Sequence, residues 1–321
     1  MFFEKKLSDI EFIDKCSLEQ RITVVWNESS EKRNYIESFF DRLHHKCECR
    51  DIKLFYNPDN DRLQVDKEEK CPASAIKSLL DNMETEILLL NISTMNMRLL
   101  GAVLKYLKYS DYKKVYCVYT EPKRYARIHE HRGEFDLYRR MKSFAPIQGY
   151  ISTNIDNKPE KWIPFLGFEG NRALQVREEY DFNDYIPVIT LPSYKPIWQN
   201  FIIRENLTLL DGVKGNTIRY IEADSFLAAY EELERLADIY KDNQLRVTSF
   251  GTKINALGIL LYLLNHEGVI DLIYDNPIED GAVYSEEIGR THVFDISELI
   301  LSAKGKENDD NSNNDGSRNT D

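Results

Sequence analysis

Twice along this chain, short runs of apolar residues alternate with longer segments whose apolar positions recur every three or four residues. No other feature of the sequence restricts the fold as much. A run such as Glu86-Ile-Leu-Leu-Leu-Asn91 is apolar at consecutive positions, so a strand made from it buries both faces. Helices packed on both sides of a sheet supply that cover, which points to βαβ units and mostly parallel sheets. The expected class is α/β, with two Rossmann-like halves joined by an irregular crossover.

In the first half, Arg21–Trp26, Asp51–Tyr56, Glu86–Asn91 and Lys114–Tyr119 read as strands. A helix opened by Ser29 or Ser30 carries Tyr35, Ile36, Phe39, Phe40 and Leu43 on one face, and further helices are expected over Ala73–Met83 and Met97–Tyr109. In the second half, Ile186–Leu191, Thr217–Ile221, Leu245–Ser249 and Val269–Tyr274 read as strands. Ile197–Leu210, Ser225–Tyr240 and Ile254–Asn265 read as helices, the second capped by Asp224 or Ser225. Arg290–Ser297 and a short helix complete the ordered part.

The expected boundaries are an N-terminal half over residues 1–125, a crossover with a Gly-rich loop over 126–185, a C-terminal half over 186–304 and a tail over 305–321. The tail has no large apolar residue, so burial cannot offset its ordering entropy, and disorder is expected. Its two basic residues, Lys306 and Arg318, stand against Glu307, Asp309, Asp310, Asp315 and Asp321. It is acidic and accounts for −3 of the net charge of −12. That overall charge argues against general DNA binding. Cys16, Cys47, Cys49, Cys71 and Cys117 show neither a disulfide framework nor a zinc-site spacing. Met1-Phe-Phe-Glu-Lys-Lys puts charges where a signal peptide has an apolar run, and no stretch of about 18 apolar residues occurs. A cytoplasmic protein with no membrane contact is expected.

The two halves echo one another. One strand ends in Asn91-Ile-Ser-Thr94, a helix follows, and the next strand ends in Tyr119-Thr-Glu-Pro122. The other series runs from Ser249-Phe-Gly-Thr-Lys253 through a helix to Tyr274-Asp-Asn-Pro277. Small residues at such strand-to-helix turns set backbone N–H groups and helix N-termini at the carboxyl edge of a sheet, where open α/β folds hold anions. Ser93, Thr94, Gly251, Thr252 and Lys253 are therefore candidate ligand contacts, with Glu121 and Asp275 closing the two second strands. The same turns are also what ordinary helix capping requires.

Trp162-Ile-Pro-Phe-Leu-Gly-Phe-Glu-Gly-Asn-Arg172 is a second candidate, a loop that can bring Glu169 and Arg172 to one point, either on a ligand or as an internal pair closing a turn. Ser193, with Tyr194, Lys195 and Trp198, falls at a further strand-to-helix turn and offers hydroxyl, cation and stacking surfaces. Phe250-Gly-Thr-Lys253 lacks the upstream glycine and spacer of a phosphate-cradling ATPase loop, and no GxGxxG follows a strand, so no cofactor is expected. His129 and His131, beside Glu130 and Glu134, lie in a charged segment that reads as solvated surface, and no metal is expected. No nucleophile with a partnering base stands out, and Glu169 is the one weak catalytic candidate.

The Ser249–Lys253 turn ahead of an apolar helix, together with Tyr119-Thr-Glu-Pro-Lys-Arg-Tyr125, resembles elements of the Rossmann-like sensory domains called CARF, found in prokaryotic antiviral systems. In that family a Gly-Thr-Lys turn opens the helix of the ligand pocket, and the ligand is a cyclic oligonucleotide or a related nucleotide. The resemblance covers two short segments. The sequence departs from the family in showing no nuclease, protease or helix-turn-helix effector, and in carrying both halves in one polypeptide. What the resemblance implies is a sensor or accessory component of a defence locus.

The expected function is binding of a nucleotide or other phosphorylated ligand. A hydrolase or glycosidase using Glu169 as acid or base, and a non-catalytic interaction subunit, stand as alternatives. Expected partners are the small ligand, a protein from the same operon and a second copy of the chain as a homodimer.

Overall fold

The computed structural model describes residues 2–29, 33–34, 36–65, 67–81, 85, 87–125, 138–141, 147, 149–151, 158–215, 217–279 and 285–304. The chain begins with β1 (Lys5–Ser8), α1 (Asp9–Lys15), β2 (Arg21–Asn27), α2 (Glu37–Lys46) and β3 (Glu48–Asn57). It continues through β4 (Arg62–Val65), β5 (Glu68–Lys70), α3 (Pro72–Leu80), β6 (Ile87–Asn91), α4 (Met97–Leu107), β7 (Lys114–Tyr125) and β8 (Tyr138–Met141). Then follow β9 (Glu160–Leu166), α5 (Gly170–Glu179), β10 (Val188–Thr190), α6 (Pro196–Glu205), α7 (Leu207–Leu210) and β11 (Arg219–Ile221). The last elements are α8 (Phe226–Ile239), β12 (Gln244–Ser249), α9 (Lys253–Asn265), β13 (Ile270–Leu272), β14 (Pro277–Glu279), β15 (Ser285–Asp295) and a helix over residues 297–304.

The strands form a mixed eight-stranded sheet, in the order β1-β15-β7-β6-β2-β3-β4-β5, and a parallel five-stranded sheet, β11-β10-β9-β12-β13, with β14 and β8 paired separately. Alternating residues on each buried strand serve different cores. Val25, Leu88 and Leu90 of the first sheet share one core with Ile163, Phe165 and Val247 of the second, and α3, α4, α8 and α9 lie between them. Val24 and Leu89 face the opposite way, onto Phe12 of α1 and Phe39, Phe40 and Leu43 of α2. Trp162 and Leu166 turn to α5, α6 and α7. The result is five layers, with one helical layer common to both sheets. The helix α9 runs through this middle layer, which explains why Ile254-Asn-Ala-Leu-Gly-Ile-Leu-Leu-Tyr-Leu-Leu264 is apolar on nearly every side.

Strand order fixes where a site can form. In the first sheet the chain moves from β2 out to β3, then returns to add β6 and β7 on the other side, all four parallel. In the second it moves from β9 to β10 and β11, then returns to add β12 and β13. The direction of addition thus reverses between β2 and β6 and between β9 and β12. At each reversal the connections leave in opposite directions and open a crevice beyond the carboxyl ends of the strands.

Several expectations change. The stretch expected as a crossover contains β9 and α5, and β9 is the central strand of the second sheet. Pro164 inside the strand and glycines at 167 and 170 hide the pattern, because both residue types read as loop. The first sheet is mixed rather than mostly parallel, since β15 returns from the far end of the sequence to pair antiparallel with β7, and β1 pairs with β15. Alternation marks strands but not their partners. The second helix begins at Glu37, with Ile36 at its cap and no side-chain capping bond, so Ser29 does not open it. Tyr35, Met83, the histidines at 129 and 131 and the tail from residue 305 lie outside the described residues. Among those described, no helix is long and apolar enough to cross a membrane.

Candidate functional site

Both reversals open on the same space. A cavity of about 300 Å³ is lined by Asn27 and Ser29 after β2, Ser93 to Met97 after β6, Gly167 to Glu169 after β9, and Ser249 to Lys253 after β12. That volume lies at the small end of the range for ligand pockets.

Three helices begin at this cavity. Asn96 caps α4, its Oδ1 accepting from the Leu99 N–H at 2.8 Å. Thr252 caps α9, accepting from the Asn255 N–H at 3.2 Å and donating to the Ala223 carbonyl at 2.8 Å. Glu169 stands at the N-cap of α5 without a side-chain capping bond. Helix N-termini carry partial positive charge and unsatisfied N–H groups, so their convergence favours an anion. The units β6–α4–β7 and β12–α9–β13, whose turns echo each other in sequence, each lie just across a reversal, and α4 packs against α9.

Close backbone approach shapes the floor. A Cβ on Gly167 would lie 1.7 Å from the Phe250 carbonyl oxygen, so only glycine fits where β9 meets β12. The Phe250 N–H donates to the Phe165 carbonyl at 2.8 Å just beneath.

The charged residues are tied to the walls. Lys253 Nζ donates to the Met95 carbonyl, linking the α9 turn to the α4 turn across the cavity. Arg172 presents its fork to Asp275, with Nε and Nη2 at 2.7 and 2.9 Å from the two carboxylate oxygens, while Nη1 reaches Glu169 at 2.7 Å. Asp275 is 2% exposed, so this is a buried three-member network. Arg33 is also buried and donates to the Thr120 carbonyl and Ser285 Oγ, each at 3.2 Å.

Aromatic rings complete the lining. Tyr119 stacks on Tyr194 at 6.2 Å, and Trp198 meets Tyr194, Tyr125 and Phe168 at 6.5, 5.5 and 5.5 Å between ring centroids. Burial raises the pKa of both Tyr119 and Tyr194, keeping their hydroxyls protonated. A cavity lined by both helix N-termini and rings suits a ligand that combines an anionic and a planar apolar part.

Of the residues singled out from sequence, Ser93, Thr94, Gly167, Glu169, Arg172, Ser193, Gly251, Thr252 and Lys253 line this cavity. Two do not. Glu121 is buried against His292, its Oε1 2.7 Å from Nε2, and Asp275 sits behind the lining, holding Arg172. The internal pair weighed for Glu169 and Arg172 is present, with Asp275 added. The Ser93 hydroxyl accepts from the Thr120 N–H at 3.1 Å, and that of Thr94 donates to Asn34 Oδ1 at 2.7 Å. Sequence reasoning missed Arg33, Asn96, Tyr119, Tyr125 and Phe168 as lining residues. Asn96 ahead of an apolar helix was legible as a cap.

No protein-family model matches this sequence, and no curated protein matches it.

Proposed function

We propose that this protein binds a nucleotide, or another phosphorylated small molecule with a planar ring, in the cavity between its two sheets. The reading treats the sheets as two Rossmann-like halves. One observation carries it: both strand-order reversals, the places where open α/β sheets bind ligands, open on one cavity. The phosphate lies at the α9 and α4 N-termini, where Lys253 adds a cation, and the planar ring lies along the aromatic wall. The resemblance of the Ser249–Lys253 turn to CARF domains agrees with this placement and extends it to a sensor or accessory role in antiviral defence.

The test is a thermal-shift screen over nucleoside mono-, di- and triphosphates, dinucleotide cofactors and cyclic dinucleotides. A ligand at a hundredfold excess over its Kd stabilises the fold by about 2.7 kcal/mol. For a chain of this size that raises Tm by roughly 5 °C. Lys253→Ala should shrink the shift. A screen in which no compound moves Tm rejects the reading, and chromatographic detection of product from a binding compound turns it toward a hydrolase using Glu169.

A further inference from the structure

The carboxylate of Glu169 is not used as its place in the chain suggests. A carboxylate at a helix N-cap ordinarily accepts from the backbone N–H groups of its own helix, but the Glu169 side chain makes no such bond. Its Oε2 accepts instead from Arg172 Nη1 at 2.7 Å, and Arg172 is itself held by its fork on the buried Asp275. A buried ionic network adds little net stability, because desolvation offsets the attraction. What this one supplies is a carboxylate held in one place at the cavity. The Glu169 side chain lines that cavity and keeps 9% of its surface exposed, so a ligand can touch it.

We infer that Glu169 reads the sugar of the ligand, its carboxylate accepting hydrogen bonds from the 2′- and 3′-hydroxyls of a ribose. The inference rests on the nucleotide reading above and deepens it to ribonucleotides. Three consecutive residues support it. Gly167 abuts the Phe250 backbone of the α9 turn, Phe168 packs its ring on Trp198 and Tyr125 at 5.5 and 5.9 Å, and Glu169 follows. A carboxylate thus lines the cavity within two residues of both the turn proposed for phosphate and the rings proposed for the base. Glu169 and Asp275 share one guanidinium, so the group as a whole stays negative and repels a phosphate. An ionised carboxylate only accepts, and it has about four lone-pair directions, so it can take a ligand's donors while still holding Arg172. In a nucleotide, the neutral donors between phosphate and base are the ribose hydroxyls.

The experiment is calorimetric titration of wild type with AMP, GMP, CMP and UMP and with their four 2′-deoxy counterparts, repeated on Glu169→Gln and Glu169→Ala after thermal melts show which variants are folded. Wild type should bind a ribonucleotide about tenfold more tightly than its deoxy counterpart, which lacks one hydrogen bond to a charged acceptor. In a folded variant that ratio should fall toward one, because the acceptor that tells the two sugars apart is gone. Glutamine keeps an oxygen that can accept from Arg172, so Glu169→Gln should fold; if neither variant does, the wild-type ratio alone decides. Equal affinity of wild type for the two sugars, tighter binding of the deoxy series, or a ratio unchanged in a folded variant overturns the inference while leaving the nucleotide reading in place. A wild type that binds none of the eight compounds removes both.

Discussion

Gly167 and Gly251 stand on neighbouring strand ends at the same cavity, and exchanging each for alanine should have opposite consequences. At Gly167 the added methyl carbon would lie 1.7 Å from the Phe250 carbonyl oxygen and 2.6 Å from its carbon. An ordinary carbon–oxygen contact is about 3.3 Å, so the ends of β9 and β12 must separate by roughly 1.5 Å. Overpacking of this kind costs about 1–3 kcal/mol. The Phe250 to Phe165 bond at 2.8 Å and the Asn206 Nδ2 bond to the Gly167 carbonyl at 2.8 Å are strained or lost with it. At about 1 kcal/mol each, the total comes to about 3–5 kcal/mol. Unfolding entropy near 2.1 cal/mol/K per residue converts this to a Tm lower by roughly 5–8 °C. At Gly251 the nearest atom to an added methyl is 3.6 Å away, and the backbone is outside the left-handed region. Gly251→Ala should therefore hold or raise stability, by up to about 1 kcal/mol. It should nevertheless weaken the ligand found by screening about tenfold or more, by placing a methyl where backbone approaches phosphate. Circular dichroism melts and calorimetry measure both quantities. A Gly167→Ala protein melting within 2 °C of wild type would show that these strand ends do not meet as described.

Arg172→Ala strands the buried carboxylate of Asp275 and should cost about 3–5 kcal/mol in urea denaturation, with Arg172→Lys recovering little because an ammonium cannot reproduce the fork; an unchanged midpoint contradicts this. Burial pushes the Glu267 carboxyl up, but hydrogen bonds from Lys105 and Lys108, at 2.6 and 2.8 Å, bring it below 4.5. A carboxyl depressed in the folded state adds stability above its unfolded pKa and loses it as pH falls through the folded one. The Tm gap between wild type and Glu267→Gln should thus be widest near pH 7 and close below pH 4.5, whereas a gap independent of pH rejects the pairing. Burial pushes the Cys16 and Cys49 thiols up to about 12, while hydrogen bonds with Ser74 lower that of Cys71. Peptide mapping after brief iodoacetamide treatment should find Cys71 labelled first, and earlier labelling of Cys16 or Cys49 would count against these environments.

Much of the alternation was legible because local burial dictates it. The strand β6 and the helices α4, α8 and α9 fall within a residue or two of their sequence reading, except that α4 stops two residues early at Leu107. Ser225 caps α8 as its position suggested, its Oγ accepting from the Ala228 N–H at 3.0 Å. The center of the second sheet was not legible, since Pro164 sits in β9 and two glycines follow it, each required by an approach of backbone that no local pattern records. Nor was the return of β15 to the first sheet, a pairing between residues such as Phe294 and Cys117 that are far apart in sequence. For the site, the small residues at the two echoed turns pointed to the cavity. Its aromatic wall assembles from β7, the turn after β9 and the start of α6, and only the fold brings these together.

Hydrogen–deuterium exchange, with and without the tightest-binding nucleotide from the screen, examines whether the two sheets share one ligand site. Residues 92–98 and 249–255 should both become protected in the same titration and with the same midpoint. Protection of one segment alone, or of neither while the nucleotide is bound, would place the ligand elsewhere and break the link between the two strand-order reversals.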